Sequence, residues 1–426
     1  MKFVLANWGT RGEVEPYAAL SRELVSRGHD VHLVVGPELV DFAKSSGAEA
    51  VAFGPTLDAV IEPHHKYWSL FFSKPWQLRE LNRLLYEFAA PLSEYREQVR
   101  ETLSALCAGT DLLLTGMNYE EVASNVVECC GTPLATLQHF PLRINGYLVP
   151  FLSPRLGRST MAAAEWLTWR GHKAEDDAER LALGLPKATG HWAQRIDALD
   201  AMEIQAYDAL CYPGLADEWT PWNDQEIPRR PFVGALTMEL PADDDTEIAS
   251  WIAAGTPPIF FGFGSMPLDS AAADTIAMIA GACNQLGERA LIGAGWTDFG
   301  KVPQYDHVKI VGALNYAEIF PACRAIVHHG GSGTTNAGLR SGRPTMILWM
   351  LPNQACWAAR LKKLKVGTGR RFSATTEKTL VADLRTILAP EYLVRAQQLA
   401  AKMTKPADSV AAAADLAERF ALSRRG

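Results

Sequence analysis

Apolar positions along the chain fall into short continuous runs separated by stretches with helical spacing. Residues 2–7 read as a buried strand and run into a glycine turn. Tyr17, Leu20, Leu24 and Val25 recur at helical spacing, which predicts a helix over 17–27 that Gly28 ends. Residues 31–35, 111–115 and 133–137 read as further strands. The pattern restarts in the second half, with strands over 258–262, 289–293, 325–328 and 345–348 and helices over 271–286 and 356–364. Strands alternating with helices imply parallel sheets covered on both faces, so the two runs predict two Rossmann-like α/β lobes. Between them, 212–245 is strand-poor and holds Pro213, Pro221, Pro228, Pro231 and Pro241, the composition of a linker. An alanine-rich helix over 408–424 closes the chain and is free to pack back on the first lobe.

Composition narrows the class. A chain of 426 residues is too long for one ordinary core, and 48% hydrophobic with 21% charged residues is a globular balance. A formal net charge of −7 argues against general nucleic-acid binding, although it leaves room for one basic cleft. The apolar stretch over 1–8 is too short for a signal peptide, and no segment reaches the length of a membrane-spanning helix. Seven cysteines, Cys129 and Cys130 adjacent among them, show no CxxC or zinc spacing and read as reduced thiols of a cytoplasmic protein.

Two stretches carry candidate chemistry. The segment 61–88 holds Tyr67, Trp68, Phe71, Phe72, Trp76 and Tyr86, either an aromatic wall for an apolar ligand or helix core beneath a long loop. The more informative stretch is 327–344, VHHGGSGTTNAGLRSGRP. A strand ends in two histidines, passes Gly330, Gly331 and Gly333, and opens a helix near Thr334. Glycines admit a ligand close to the backbone, and helix-start N–H groups with the macrodipole favour an anion. Ser332, Thr334 and Thr335 can add hydroxyls, and His329 an imidazole N–H or a positive charge. The geometry suits a diphosphate. It is not a Walker A loop, because no GK[ST] follows the glycines. The plain alternative is a tight strand-to-helix turn with two satisfied core histidines.

These motifs, in this order, resemble the family 1 glycosyltransferases. NWGTRGEVEPYAALSRELVSRGHDV resembles the opening of bacterial sterol, antibiotic and lipid glycosyltransferases. FGFGSM, GAGW and FPACRAIVHHGGSGTTNAGLRSGRPTMILWMLPNQACWAARL follow that family's donor-binding order. The resemblance spans nearly the whole chain and is strongest to actinobacterial enzymes that glycosylate glycopeptidolipids, glycopeptides or macrocyclic metabolites. It implies an α/β GT-B fold, two Rossmann-like lobes whose parallel sheets face a central cleft. On that reading 1–215 is the acceptor-binding lobe, 216–240 the linker, 241–405 the nucleotide-sugar donor lobe, and 406–426 the helix returning to the first lobe. The resemblance further implies that His329 and Gly331, Ser332, Gly333 and Thr334 hold the diphosphate, with Ser265 reaching the phosphate or sugar region. Trp296 would lie against the base, and Leu314 would contact it through its backbone. Asn353 and Gln354 stand where an acidic-Gln pair meets the sugar hydroxyls, with Asn353 where the family often has Asp.

The implied reaction inverts the anomeric centre by direct displacement, which needs a base at the acceptor hydroxyl and charge stabilisation at the diphosphate. In the antibiotic branch the base is an Asp after the TRG glycine, and here Glu13 stands there. With an ordinary pKa of about 4.3 it would be ionised at neutral pH. The plain reading of Glu13, and of its neighbour Glu15, is an acid favoured by the helix dipole. His139, in LQHFP, is the reserve candidate. Asp243, Asp244 and Asp245 contain a nominal DxD but precede a helix, where aspartates cap, so no metal is expected. The expected co-substrate is a UDP- or dTDP-sugar with no further cofactor. The expected partner is a large apolar small-molecule or lipid acceptor, with no nucleic acid and at most peripheral membrane contact. The competing readings are a nucleotide-sugar epimerase and a catalytically silent sugar-nucleotide-binding partner. A nicotinamide dehydrogenase fits less well, because Gly262-x-Gly264 leads into Met266 and Pro267 and breaks GxGxxG.

Overall fold

The computed structural model describes residues 1–149, 151–242, 245–264, 272–295 and 303–425. The chain forms two compact units, one from Met1–Met238 with the chain from Thr404 on, the other Glu239–Met403. Each is a six-stranded, wholly parallel sheet with helices around it, the α/β architecture that the periodicity predicts.

In the first unit β1 (Lys2–Ala6), β2 (Asp30–Val35), β3 (Glu49–Ala52), β4 (Leu112–Thr115), β5 (Leu134–Gln138) and β6 (Met202–Gln205) lie in the order β3-β2-β1-β4-β5-β6. Phe3 pairs in register with Val31 on one side and Leu112 on the other. One core face gathers Val4, Ala6, Val34, Leu113 and Leu134 from the sheet and Val122, Val126 and Leu103 from its helices. In the second unit β7 (Ile259–Gly262), β8 (Ala290–Gly293), β9 (Val308–Val311), β10 (Ala325–His328), β11 (Thr345–Trp349) and β12 (Gly367–Arg371) lie in the order β12-β11-β10-β7-β8-β9. Ile259, Phe261, Ala325, Val327 and Leu348 face one helical layer, while Phe260, Leu291 and Ile326 face the other. Alternate residues of a strand thus feed opposite cores, which is why these strands read as unbroken apolar runs.

Both orders reverse direction once, between β1 and β4 in the first sheet and between β7 and β10 in the second. Such a reversal opens a crevice at the carboxyl ends of the strands, where open α/β sheets bind ligands. One difference from the sequence reading matters. Residues 216–238, expected as linker, lie within the first unit, with short helices Leu215–Glu218 and Thr220–Asn223 and a bridge from Phe232 to Gln205. Prolines there interrupt strands without detaching the segment. The final helix, Pro406–Ser423, belongs to the first unit, where Asp415 and Glu418 accept from Arg27 at 2.6 and 2.7 Å. Among the described residues no helix is long and apolar enough to cross a membrane.

Candidate active site

The crevice of the first sheet holds Glu13. The helix that follows β1 is Arg11–Ser26, six residues longer at its start than the apolar spacing shows, with Pro16 inside it. Glu13 is its third residue. Its Oε2 accepts from the backbone N–H of Thr10 at 2.8 Å and from the Thr10 hydroxyl at 3.2 Å. This is the returning half of a capping box, and Thr10-x-x-Glu13 is its sequence signature. Asn7, just past β1, donates to the Glu13 carbonyl at 2.8 Å, and Asn118, past β4, donates to the Trp8 carbonyl at 2.6 Å. Gly9 (φ +145°) passes so close that a Cβ there would lie 2.3 Å from Glu13 Oε2. The carboxylate is therefore fixed from two sides while Oε1 accepts no hydrogen bond from any described residue. Burial raises the Glu13 pKa above the ordinary carboxylate value, against the lowering effect of the Thr10 donors. A raised pKa makes it a stronger proton acceptor than the sequence implies.

His139 stands one residue past β5, half-buried, and burial pushes its pKa down to about 4. It is a weaker base than an ordinary imidazole. The loop that carries it is anchored by Arg143, whose two Nη atoms donate to both Glu120 oxygens at 3.0 and 2.6 Å and whose Nε donates to Glu203. Arg230 donates to the other Glu203 oxygen at 3.0 Å.

The crevice of the second sheet holds the glycine-histidine turn. Register places Gly262 beside His328 and Gly293, so the carboxyl ends of β7, β8 and β10 are level. The two histidines have different tasks. His328 is fully buried, and its Nδ1 accepts from the Gly330 N–H at 3.0 Å, which fixes the turn and leaves the ring proton on Nε2. His329 is partly exposed and its backbone N–H donates to the Gly262 carbonyl at 3.1 Å. Its ring lies against Gly264 (φ +60°) and Gly331, where an added Cβ would come within 2.6 Å of Cε1 and Nε2 respectively. Two glycines thus make the slot that the imidazole occupies. Burial lowers its pKa to about 4, with the nearby Gly262 carbonyl opposing, so the ring is neutral at pH 7 and offers an N–H rather than a positive charge.

Gly331 caps the helix Ser332–Arg340, and Ser332, Gly333 and Thr334 form its half-buried first turn. First-turn N–H groups have no carbonyl one turn earlier in the helix, and together with the macrodipole they favour an anion. Thr335 departs from the expectation: it is fully buried and its hydroxyl donates to the Gly331 carbonyl at 2.8 Å, so it holds the cap. Gln354 also has a structural task. It is buried at the start of the helix Pro352–Leu364, and its Oε1 accepts from the N–H groups of Met350 and Leu351 at 2.8 and 3.0 Å. Asn353 is exposed beside it, with Oδ1 accepting from the Gln354 N–H at 3.0 Å. Gly330 passes within 2.9 Å of Gln354 Cβ, measured from an ideal Cβ, so this helix start and the turn share one wall. Leu314 is half-buried and packs beside Gly293 and Phe260. Ser265 and Trp296 lie outside the described residues, as do Asp243 and Asp244. Asp245 is a structural cap, accepting from Ala242 N–H at 2.7 Å and Asn315 N–H at 2.9 Å.

Sequence reasoning passed over Thr10, although its capping-box spacing marks it. Gly264, within FGFGSM, carries no such role in the sequence, because a glycine's part as the wall of an imidazole slot appears only when two strand ends meet.

Two family models and full-length relatives match the chain. Residues 3–100 match the glycosyltransferase family 28 N-terminal domain, and 293–417 match the erythromycin biosynthesis protein CIII-like C-terminal domain. An uncharacterized glycosyltransferase of Mycobacterium tuberculosis (strain ATCC 25618 / H37Rv) is 52% identical over 100% of both chains. The vancomycin aglycone glucosyltransferase of Amycolatopsis orientalis is 25% identical over 97% of this chain and 96% of its own. Among solved structures, the glycotransferase of kitacinnamycin superposes with a TM-score of 0.69 at 17% identity, covering 98% of each chain. The glycosyltransferase VinC, in complex with dTDP, superposes at 0.61 with 18% identity, covering 98% of this chain and 100% of its own. The chain belongs to the family 1 glycosyltransferases of the GT-B fold and is a transferase.

Proposed function

We propose that the chain is an inverting, cytoplasmic glycosyltransferase moving a hexose or deoxyhexose from a UDP- or dTDP-sugar to a hydroxyl of a large apolar acceptor. The second unit takes the donor: the diphosphate lies at the Ser332–Arg340 helix start, with His329 donating from its glycine slot. Asn353, with an exposed amide, meets the sugar hydroxyls, and Gln354 supports it. Glu13 is the base. As the acceptor oxygen bonds to the anomeric carbon, its proton passes to Glu13 and the bond from that carbon to the diphosphate oxygen breaks. The electron pair leaves on the diphosphate, where helix N–H groups and His329 stabilise it. With those donors the scheme asks for no metal or further cofactor. The observation that carries the reading is the Glu13 carboxylate, held by Thr10 with one oxygen accepting from no described residue and its pKa raised by burial. A relative that acts on a glycopeptide aglycone and a structural neighbour solved with dTDP support the acceptor and donor classes.

The test is a screen of apolar hydroxylated natural products and glycolipids with UDP- and dTDP-glucose in the presence of EDTA. Product mass and nucleoside diphosphate release are followed together, and the anomeric configuration is read by NMR. A β-glucoside from the α-configured donor is expected. Epimerised donor without transfer, or donor binding with neither transfer nor hydrolysis, would contradict the reading.

A further inference from the structure

The helices Asp58–Ser73 and Leu78–Glu94 pack as an antiparallel hairpin on the first unit. Its base is rooted in the core through Leu57 and Val60, with Ile61, Phe88 and Leu92 packed against them. Its far end is not. Phe71, Trp76 and Leu78 around the turn are 41%, 72% and 67% exposed. Behind them Tyr67, Trp68, Phe71 and Phe72 form a run of ring contacts at 5.0–6.2 Å, so the tip is a stiff aromatic block. Apolar groups this size, left in water at the end of a projecting element, mark a surface that meets another phase or partner.

The charge around the tip indicates which. From Pro63 to Arg79 the sequence has Lys66, Lys74 and Arg79 and no acid, in a chain whose net charge is −7. Lys66 pairs with Glu62 at 2.6 Å, whereas Lys74 and Arg79 form no ion pair with any described residue. An acidic protein that places unpaired cations beside an exposed Trp, Phe and Leu has the complement of an anionic interface. Trp and Phe enter the headgroup boundary while Lys and Arg remain at phosphate level. A partner protein would be met by a broader apolar face with paired charge at its rim. We infer that the hairpin tip, with Trp76 as its anchor, is a docking surface for an anionic phospholipid bilayer. Two unpaired cations and three apolar side chains make this a reversible attachment. It presents the first unit to molecules dissolved in the membrane, and it needs no nucleotide sugar.

The test is co-sedimentation of the full chain with vesicles of phosphatidylcholine plus phosphatidylglycerol, and with phosphatidylcholine alone. Binding to the anionic vesicles that weakens with added salt is expected. Lys74→Ala with Arg79→Ala should weaken it on the order of 30-fold, at ~1 kcal/mol per cation. Trp76→Ser with Leu78→Ser should weaken it about tenfold or more. Both variants should keep the wild-type thermal midpoint, since these side chains are exposed. Absence of binding, equal binding to both vesicle types, or unchanged binding by both variants would overturn the inference. So would a wild-type dimer that Trp76→Ser with Leu78→Ser converts to a monomer, which would make the tip a contact between copies of the chain.

Discussion

Replacing Glu13 by Gln separates the proposed proton-accepting role of this side chain from its capping role. The amide keeps an oxygen at the same reach, so the Thr10 N–H, now 2.8 Å from Oε2, retains an acceptor. The change in stability follows from the raised pKa. A carboxyl whose folded pKa lies above its unfolded value favours folding as the neutral acid. That contribution is complete below the unfolded value and is lost as pH rises through the folded one. At any pH above the folded pKa the native protein bears a desolvated carboxylate that the Gln variant lacks, and there the variant's thermal midpoint should equal or exceed the wild type's. Turnover should fall by about 10²–10⁴, the usual contribution of a positioned base, or ~3–5 kcal/mol of barrier. Glu13→Ala is the comparator. It removes the acceptor altogether, costs about 1 kcal/mol and lowers the midpoint by about 2–4 °C. The assay is nucleoside diphosphate release with the acceptor found by the screen, run beside thermal unfolding and across pH. The wild-type rate should fall on the acid side through an ionisation above the ordinary carboxylate range, and this limb should vanish with Gln. Turnover by the Gln variant within a few fold of wild type refutes the reasoning.

Other outcomes follow from the same contacts. Gly264→Ala puts a Cβ 2.6 Å from His329 Cε1 at a φ of +60°, so it should cost about 1–2 kcal/mol of stability and weaken nucleoside diphosphate binding on calorimetry. Arg143→Met strands the Glu120 and Glu203 carboxylates in the interior and should cost about 3–5 kcal/mol in denaturant unfolding. Burial lowers the pKa of His64, His139 and His329 to about 4. Their stabilising contribution is present above the unfolded value of about 6.5 and is lost as pH falls toward 4, so the thermal midpoint should drop across that window.

The strands legible in the sequence are the eight interior ones. Strands β1, β2, β4 and β5, and β7, β8, β10 and β11, have neighbours on both sides and present continuous apolar runs such as IFFG and LLLT. The four that escaped, β3, β6, β9 and β12, are the edges of the two sheets. Their sequences, EAVA, MEIQ, VKIV and GTGRR, carry charge or glycine where one flank has no partner strand. Glu203 in β6 is buried nonetheless, because Arg143 and Arg230 neutralise it, and that pairing is invisible to periodicity. The helix carrying Glu13 read short because Pro16 masks its first turns. At the site, the glycine-histidine turn was legible as a strand end passing through glycines into a helix start. The division of labour between His328 and His329, and the use of Thr335 and Gln354 as caps, depends on which polar atoms the fold brings within hydrogen-bond reach.

The most direct test of the account is calorimetric titration of UDP and dTDP into the wild type and His329→Ala, without metal. Micromolar-range binding to the wild type that weakens about tenfold or more in the variant is predicted, because a donor to an anion is lost from a desolvated slot. Equal affinity in the two proteins, or no binding to the wild type, would contradict the placement of the diphosphate and with it the proposed transfer.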